Sequence, residues 1–351
     1  MVLDIQSLPV WLNIALFLLA AAIVWAAGTR LARYADLISE RTSLGRAFVG
    51  LVFLAAATSA PEIATTLTGA AIGNAPLAVN NIFGGIVLQT AILAIADRVS
   101  GSDALTHFIG KSVLLLQGLL LVVLLAVALA GSGAGDVHGP LGLGVWPALL
   151  FALYFLSLYL LRRYQGEERW KPVDMPEDTS SDQASEKMRE GYDDWSNRRV
   201  YFAFGAGGLV VLVAGTAIAR TGDALAGQTG LGGSFVGATL VALATSLPEV
   251  STTVAAARLG AYSLAVSNIF GSNLLMPALL FPADLVDRSG PVTHAMDASA
   301  SLGAATGIVV TAIYLVGIIE RRDRSVAGIG LDSAAVVIVY LGSLVGLYLL
   351  R

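Results

Sequence analysis

Apolar runs of helix-spanning length alternate with short polar breaks along the whole chain. They predict ten membrane spans at about 9–33, 45–70, 75–97, 110–131, 141–162, 200–220, 232–257, 262–286, 296–320 and 330–350, each near the roughly 20 residues a bilayer requires. One long hydrophilic segment, Glu167 to Asn197, interrupts the pattern with mixed acids, bases, Ser and Pro. It reads as a solvated linker between two halves; a regulatory ion-binding segment is the alternative, although its acids do not follow EF-hand spacing.

Composition agrees with that pattern. The 351 residues are 56% hydrophobic and only 13% charged, where soluble domains are nearer a quarter charged. Helix-sized runs broken by Gly and Pro exclude a β-barrel, so the fold class is an all-α polytopic membrane protein. The first run lacks a basic leader and is long enough to span, which reads as a span and not a cleaved signal. With no cysteine, no disulfide framework or thiolate metal site is available.

Basic residues then orient the spans. Loops on one face carry Arg30, Arg33, Arg41, Arg46, Arg98, Lys111, Arg258, Arg321, Arg322 and Arg324, together with the Lys and Arg residues of 162–199. The other face holds Arg220, Arg288 and Arg351. This bias places both termini outside and the 163–199 loop in the cytoplasm of a plasma (inner) membrane.

An internal repeat organises the chain. Thr58-Ser59-Ala60-Pro61-Glu62 recurs 187 residues later as Thr245-Ser246-Leu247-Pro248-Glu249, and Val79-Asn80-Asn81-Ile82-Phe83-Gly84 as Val266-Ser267-Asn268-Ile269-Phe270-Gly271. At the same shift Arg33 matches Arg220, Asp36 matches Asp223, Asp97 matches Asp284 and Thr106-His107 matches Thr293-His294. The predicted organisation is a first five-helix repeat over 1–162 (core 45–97), a cytoplasmic linker loop over 163–199, and a second repeat over 200–351 (core 232–286). Five spans per repeat is an odd number, so the copies enter the membrane from opposite sides. A 5+5 inverted repeat with broken helices 2 and 7 is the architecture of secondary transporters.

The repeated motif carries the chemistry. A charge in lipid is costly and marks function. A proline one residue earlier removes a helix hydrogen bond and frees carbonyls in the preceding turn, near Ala57 and Ala244. Ser59 and Ser246 lie three residues before the acids, on the same helix face, and Thr58 and Thr245 lie four before. Carboxylates, hydroxyls and carbonyls are hard oxygen ligands suited to Ca²⁺, Na⁺ or Mg²⁺. Two ionised glutamates neutralise one divalent ion and repel each other without it, which invites protons to compete. The bland alternative is a kink whose acid faces water at a helix end.

Further along, the amides of Asn81 and Asn268 suit either a structural hydrogen bond or ligation. Ser272 and Asn273 have polar reach that their counterparts Gly85 and Ile86 lack, and Gln89 is an unusual polar residue within a span. Asp97 and Asp284, near helix ends, read as interfacial. His107 and His294 read as surface or pH-modulating groups.

At these motifs the chain resembles the sodium/calcium exchangers of the cation/calcium antiporter superfamily. That family carries Gly-Thr-Ser-Leu-Pro-Glu and Gly-Asn-x-x-Gly-Ser-Asn in each of two repeats. The resemblance implies that Glu62 and Glu249 are the central ion ligands. It implies further that Thr58, Ser59, Thr245 and Ser246, with the carbonyls of Ala55 and Ala242, line the remaining cation positions, while the first and sixth spans slide to alternate access. Four residues beyond the Ser of Gly-Ser-Asn, the family commonly has Asn in one repeat and Asp in the other; this chain has Gln89 and Met276, and Gly85 replaces a hydroxyl.

The expected function is therefore secondary antiport of Ca²⁺, or a similar hard cation, against Na⁺, with H⁺/Ca²⁺ exchange at the same glutamates as the alternative and a passive channel as the next. No enzymatic constellation such as Ser–Lys or His-Glu-x-x-His is present. The expected metal ligands are Glu62 and Glu249, no cofactor beyond the transported ions is called for, and no nucleic acid is a partner. The chain is expected in the lipid bilayer as a monomer or weak homo-oligomer.

Overall fold

The computed structural model describes residues 5–41, 57–100, 104–136, 143–164, 183, 186–187, 190–192, 194–287, 290–326 and 328–351. Most of them lie in helices, and two short strands, Ser325–Val326 and Ile329–Gly330, pair antiparallel. The long helices are α1 (Val10–Arg41), α3 (Ala75–Ser100), α4 (Ser112–Ala134), α5 (Val145–Tyr164), α6 (Asn197–Thr229), α9 (Ala298–Glu320) and α10 (Leu331–Leu349). Among the described residues eight helices are long and apolar enough to cross a bilayer, or nine if one bent pair counts as a span. Of the second expected span only α2 (Ala60–Ala71) and the three residues before it are described; Ala55 lies outside the described residues.

The expected break in the seventh span is present. Gly232–Thr245 (α7a) and Leu247–Arg258 (α7b) meet at Ser246 with a bend of 49°. Pro248 sits in the first turn of α7b, where its missing N–H costs no helix bond. Ser246 has φ −82° and ψ 3°, and Ser59, which precedes Pro61 in the same register, has φ −84° and ψ 10°. The two motifs therefore fold alike. Within α7a, Gly237–Val241 winds as a π-helix, a form found mostly as short bulges at functional sites.

Three features depart from the sequence expectation. Helices α1 and α6 run to 32 and 33 residues, past the expected limits of 33 and 220. Arg33, Asp36, Arg220 and Asp223 end the apolar runs without ending the helices, because a charged side chain ends burial in hydrocarbon but leaves the backbone hydrogen-bond ladder intact. The eighth span is also interrupted: Tyr262–Leu275 (α8a) gives way to a 3₁₀ turn, Met276–Leu279, before Leu280–Val286 (α8b). Pro277 explains it, since its ring removes an N–H from the ladder.

Helix α3 is the hub. Of its most apolar window 94% is buried, against 28% for α1 and for α6. Gly84 on α3 lies against the backbone of Ala238 on α7a, and Gly237 lies against the backbone of Leu77 on α3; small residues permit such close packing where no hydrophobic force separates helix from lipid. Helices α1 and α6 pack along each other at the periphery. Their outer faces expose Trp11, Leu18, Leu19, Phe202, Leu209 and Val213, as lipid contact requires.

Candidate cation site

The breaks place Glu62 and Glu249 at the third residue of α2 and of α7b. A carboxylate in the first turn of a helix faces unpaired N–H groups and the positive end of the helix dipole, which offsets part of the cost of burial. Both side chains are completely buried, as are Thr58, Ser59, Thr245, Ser246, Gln89 and Ser272.

Contacts cross between the repeats. Ser246 Oγ, from the second repeat, donates to Glu62 Oε1 at 3.3 Å, and Gln89 Nε2 donates to the same oxygen at 3.1 Å and to Ser246 Oγ at 3.1 Å. On the mirrored side Ser272 Oγ donates to Glu249 Oε1 at 3.4 Å and shares a 2.7 Å hydrogen bond with Ser59 Oγ, from the first repeat. Glu62 Oε2, Glu249 Oε2 and Gln89 Oε1 are buried without a hydrogen-bond partner among the described residues. Unpaired buried acceptors are rare and call for an explanation. An oxygen-seeking cation, or a proton, supplies one.

The other expected residues are placed as follows. The Ala242 carbonyl accepts from Ser246 N at 3.1 Å and from Thr245 Oγ1 at 3.2 Å. Asn81 Nδ2 donates to Thr65 Oγ1 and Thr66 Oγ1 at 3.0 and 3.2 Å, and Asn268 Nδ2 donates to Thr252 Oγ1 and Thr253 Oγ1 at 2.9 and 3.0 Å. These mirrored bonds tie α2 to α3 and α7b to α8a. Asn81 Oδ1 remains buried and unpaired among the described residues, whereas Asn268 is half-buried.

Asp97 and Asp284 lie outside this cluster and hold returning loops. Asp97 accepts from Leu105 N and Gly330 N at 2.8 and 2.7 Å, and Asp284 from Val292 N and Gly144 N at 2.7 and 2.6 Å. His107 ties its loop to the end of α9: its Nδ1 lies 3.0 Å from Arg321 O, and Arg321 Nη2 donates to His107 O at 3.0 Å. Sequence reasoning missed the threonine partners Thr65, Thr66, Thr252 and Thr253. Their identity in both copies was the available signal.

A family model described as sodium/calcium exchanger protein matches residues 12–163 and 199–349. The chain belongs to that family. Among its relatives, Inner membrane protein YrbG of Escherichia coli (strain K12) is 24% identical over 338 residues, covering 94% of this chain and 96% of its own. Putative antiporter CaxA of Alkalimonas amylolytica is 26% identical over 264 residues, 72% of this chain and 73% of its own. The solved H⁺/Ca²⁺ exchanger CAX superposes with a TM-score of 0.69 at 14% identity, covering 95% of this chain and 82% of CAX. The sodium-calcium exchanger NCX_Mj superposes at 0.62 with 15% identity, covering 96% and 99%. The fold is therefore the inverted-repeat fold of the cation/calcium antiporters, and this family member is an integral membrane protein.

Proposed function

We propose that the chain is a secondary active antiporter that exchanges Ca²⁺, or a similar hard cation, against Na⁺ by alternating access, with the ion held between Glu62 and Glu249. The observation that carries this reading is the pair of fully buried carboxylates from opposite repeats, each with one oxygen left unpaired. Gln89, Ser59, Ser246 and Ser272 orient those carboxylates, and the hydroxyls of Thr58 and Thr245 and the carbonyl of Ala242 extend the oxygen set. Membership of the exchanger family supports the same reading.

Alternation rests on α1 and α6, each of which crosses the half-helix of the opposite repeat. Access to the centre differs between the two mirrored polar pairs: Asn81 with Thr65 is fully buried, while Asn268 with Thr252 is half-buried. With both termini outside and 163–199 in the cytoplasm, the less buried Asn268 pair lies on the cytoplasmic side of a centre that is itself fully buried.

A second reading, H⁺/Ca²⁺ exchange at the same glutamates, is favoured by one observation. Met276 stands where Gln89 stands in the other copy, so among the described residues the centre holds two acids and no third. Purified protein in liposomes, assayed for Ca²⁺ uptake under a Na⁺ gradient and separately under a pH gradient, tests both readings. Uptake driven by Na⁺ alone supports the first, uptake driven by pH alone supports the second, and uptake that persists with neither gradient points to a channel. Protons bind the carboxylates that Ca²⁺ needs, so apparent Ca²⁺ affinity falls as pH falls.

A further inference from the structure

Gln89 and Met276 occupy one position of the repeat, yet they meet the centre differently. Gln89 touches both Glu62 and Ser246, which shows that this position on the helix faces the carboxylates. Met276 is fully buried and offers a thioether, a poor partner for hard cations. Its methyl group fills the space left by Gly85: a Cβ built on Gly85 would lie 2.8 Å from Met276 Cε. At the mirrored positions the matching pair is Ser272 and Gln89, both polar and each bonded to a glutamate. Ser272 and Gln89 thus bring polar groups to the two carboxylates, whereas the mirrored pair, Gly85 and Met276, packs together as an apolar plug with none to offer.

The charge count follows. Among the described residues no Lys, Arg or His side chain is buried. The remaining buried acids, Asp97, Asp284 and Asp287, lie at or beyond helix ends, and the first two each engage both carboxylate oxygens with backbone N–H groups. With both carboxyl groups ionised, Glu62 and Glu249 give the centre two negative charges. A net charge occluded in a low-dielectric interior is strongly disfavoured. One divalent cation, or two monovalent ones, leaves the occluded site neutral; three monovalent ions leave it positive.

We infer that the Gly85–Met276 plug fixes transport at one divalent cation against two monovalent cations, so that each cycle moves no net charge. This rests on the exchange reading above and specifies its stoichiometry, whether the monovalent ion is Na⁺ or H⁺.

The test uses purified full-length protein in liposomes whose membrane potential is set by a potassium gradient and an ionophore. Calcium self-exchange is measured first, then net Ca²⁺ flux against Na⁺ and, in a separate arm, against a pH gradient. The inference expects net flux in the active arm to change by less than about twofold between positive and negative potentials. Met276→Asp adds a third charge and should make that flux vary severalfold with potential, whereas Met276→Gln, neutral like its repeat partner, should leave it insensitive. Wild-type flux that varies severalfold with potential while self-exchange is intact overturns the stoichiometry alone. Absent self-exchange overturns the exchange reading and the stoichiometry with it. Should Met276→Asp fail to fold, the wild-type and Met276→Gln measurements decide.

Discussion

Ser59 and Ser272 share a 2.7 Å hydrogen bond although 213 residues separate them, and Ser272 passes the contact on to Glu249. A hydroxyl at the break of the first repeat therefore helps to set the carboxylate of the second. Removing one partner leaves the other buried and unpaired. Ser272→Ala is expected to weaken apparent Ca²⁺ affinity by about fivefold to tenfold, matching a cost of about 1 kcal/mol or somewhat more. The Ca²⁺ dependence of liposome uptake checks this, and an unchanged affinity contradicts it.

The mirrored Asn–Thr ties differ in burial, and their mutants should differ accordingly. Asn81→Leu removes bonds to Thr65 and Thr66 in a fully buried setting, at a cost of about 1–3 kcal/mol. Asn268→Leu removes the equivalent bonds where water reaches part of the side chain, and should cost less. Thermal unfolding in detergent should place the Tm of Asn81→Leu below that of Asn268→Leu. The reverse order contradicts a stability difference set by burial.

Glycines let the two long helices cross the broken ones. A Cβ on Gly28 would lie 2.5 Å from Pro248 Cγ, and one on Gly215 would lie 2.6 Å from Ala64 Cβ and 3.3 Å from Pro61 O. Gly28 and Gly215 are 187 residues apart, so they are the same position of the repeat. If α1 and α6 move over these kinks, Gly28→Leu and Gly215→Leu should lower turnover by roughly tenfold or more while leaving Ca²⁺ affinity within about twofold, as expected when a conformational step limits the cycle. Wild-type turnover in both variants contradicts a moving α1 and α6.

Asp97 and Asp284 bear on stability. Each uses both carboxylate oxygens to accept backbone N–H groups, and asparagine would turn an NH₂ group towards one of those donors. Asp97→Asn and Asp284→Asn are each expected to lose about 1–3 kcal/mol, read as a lower Tm. An unaltered Tm in either contradicts its role as a loop tie.

Much of the centre was legible in the sequence because its signals are strong ones. A proline beside an acid in an apolar run is rare, and its exact recurrence with Thr-Ser in front located both breaks and both glutamates. Gln89 stood out for a similar reason. Less visible was how far α1 and α6 extend, because Arg33 and Asp223 end a hydrophobic run without ending a helix. Pro277 was visible but had no acid beside it to mark the interruption of α8. The π stretch at Gly237–Val241 leaves no trace in residue type or spacing; it arises where α7a crosses α3 and Gly237 lies against Leu77. Pairing of Ser59 with Ser272 depends on how the halves dock, which local sequence does not encode.

Calcium self-exchange tests the central claim most directly, since it needs a working ion site and no knowledge of the counter-ion. Purified Glu62→Gln and Glu249→Gln, each in liposomes preloaded with Ca²⁺, are assayed for uptake of radioactive calcium. With the ion held between the two carboxylates, both variants lose exchange while folding normally in detergent. Exchange near the wild-type rate in either one would contradict a site built on that pair.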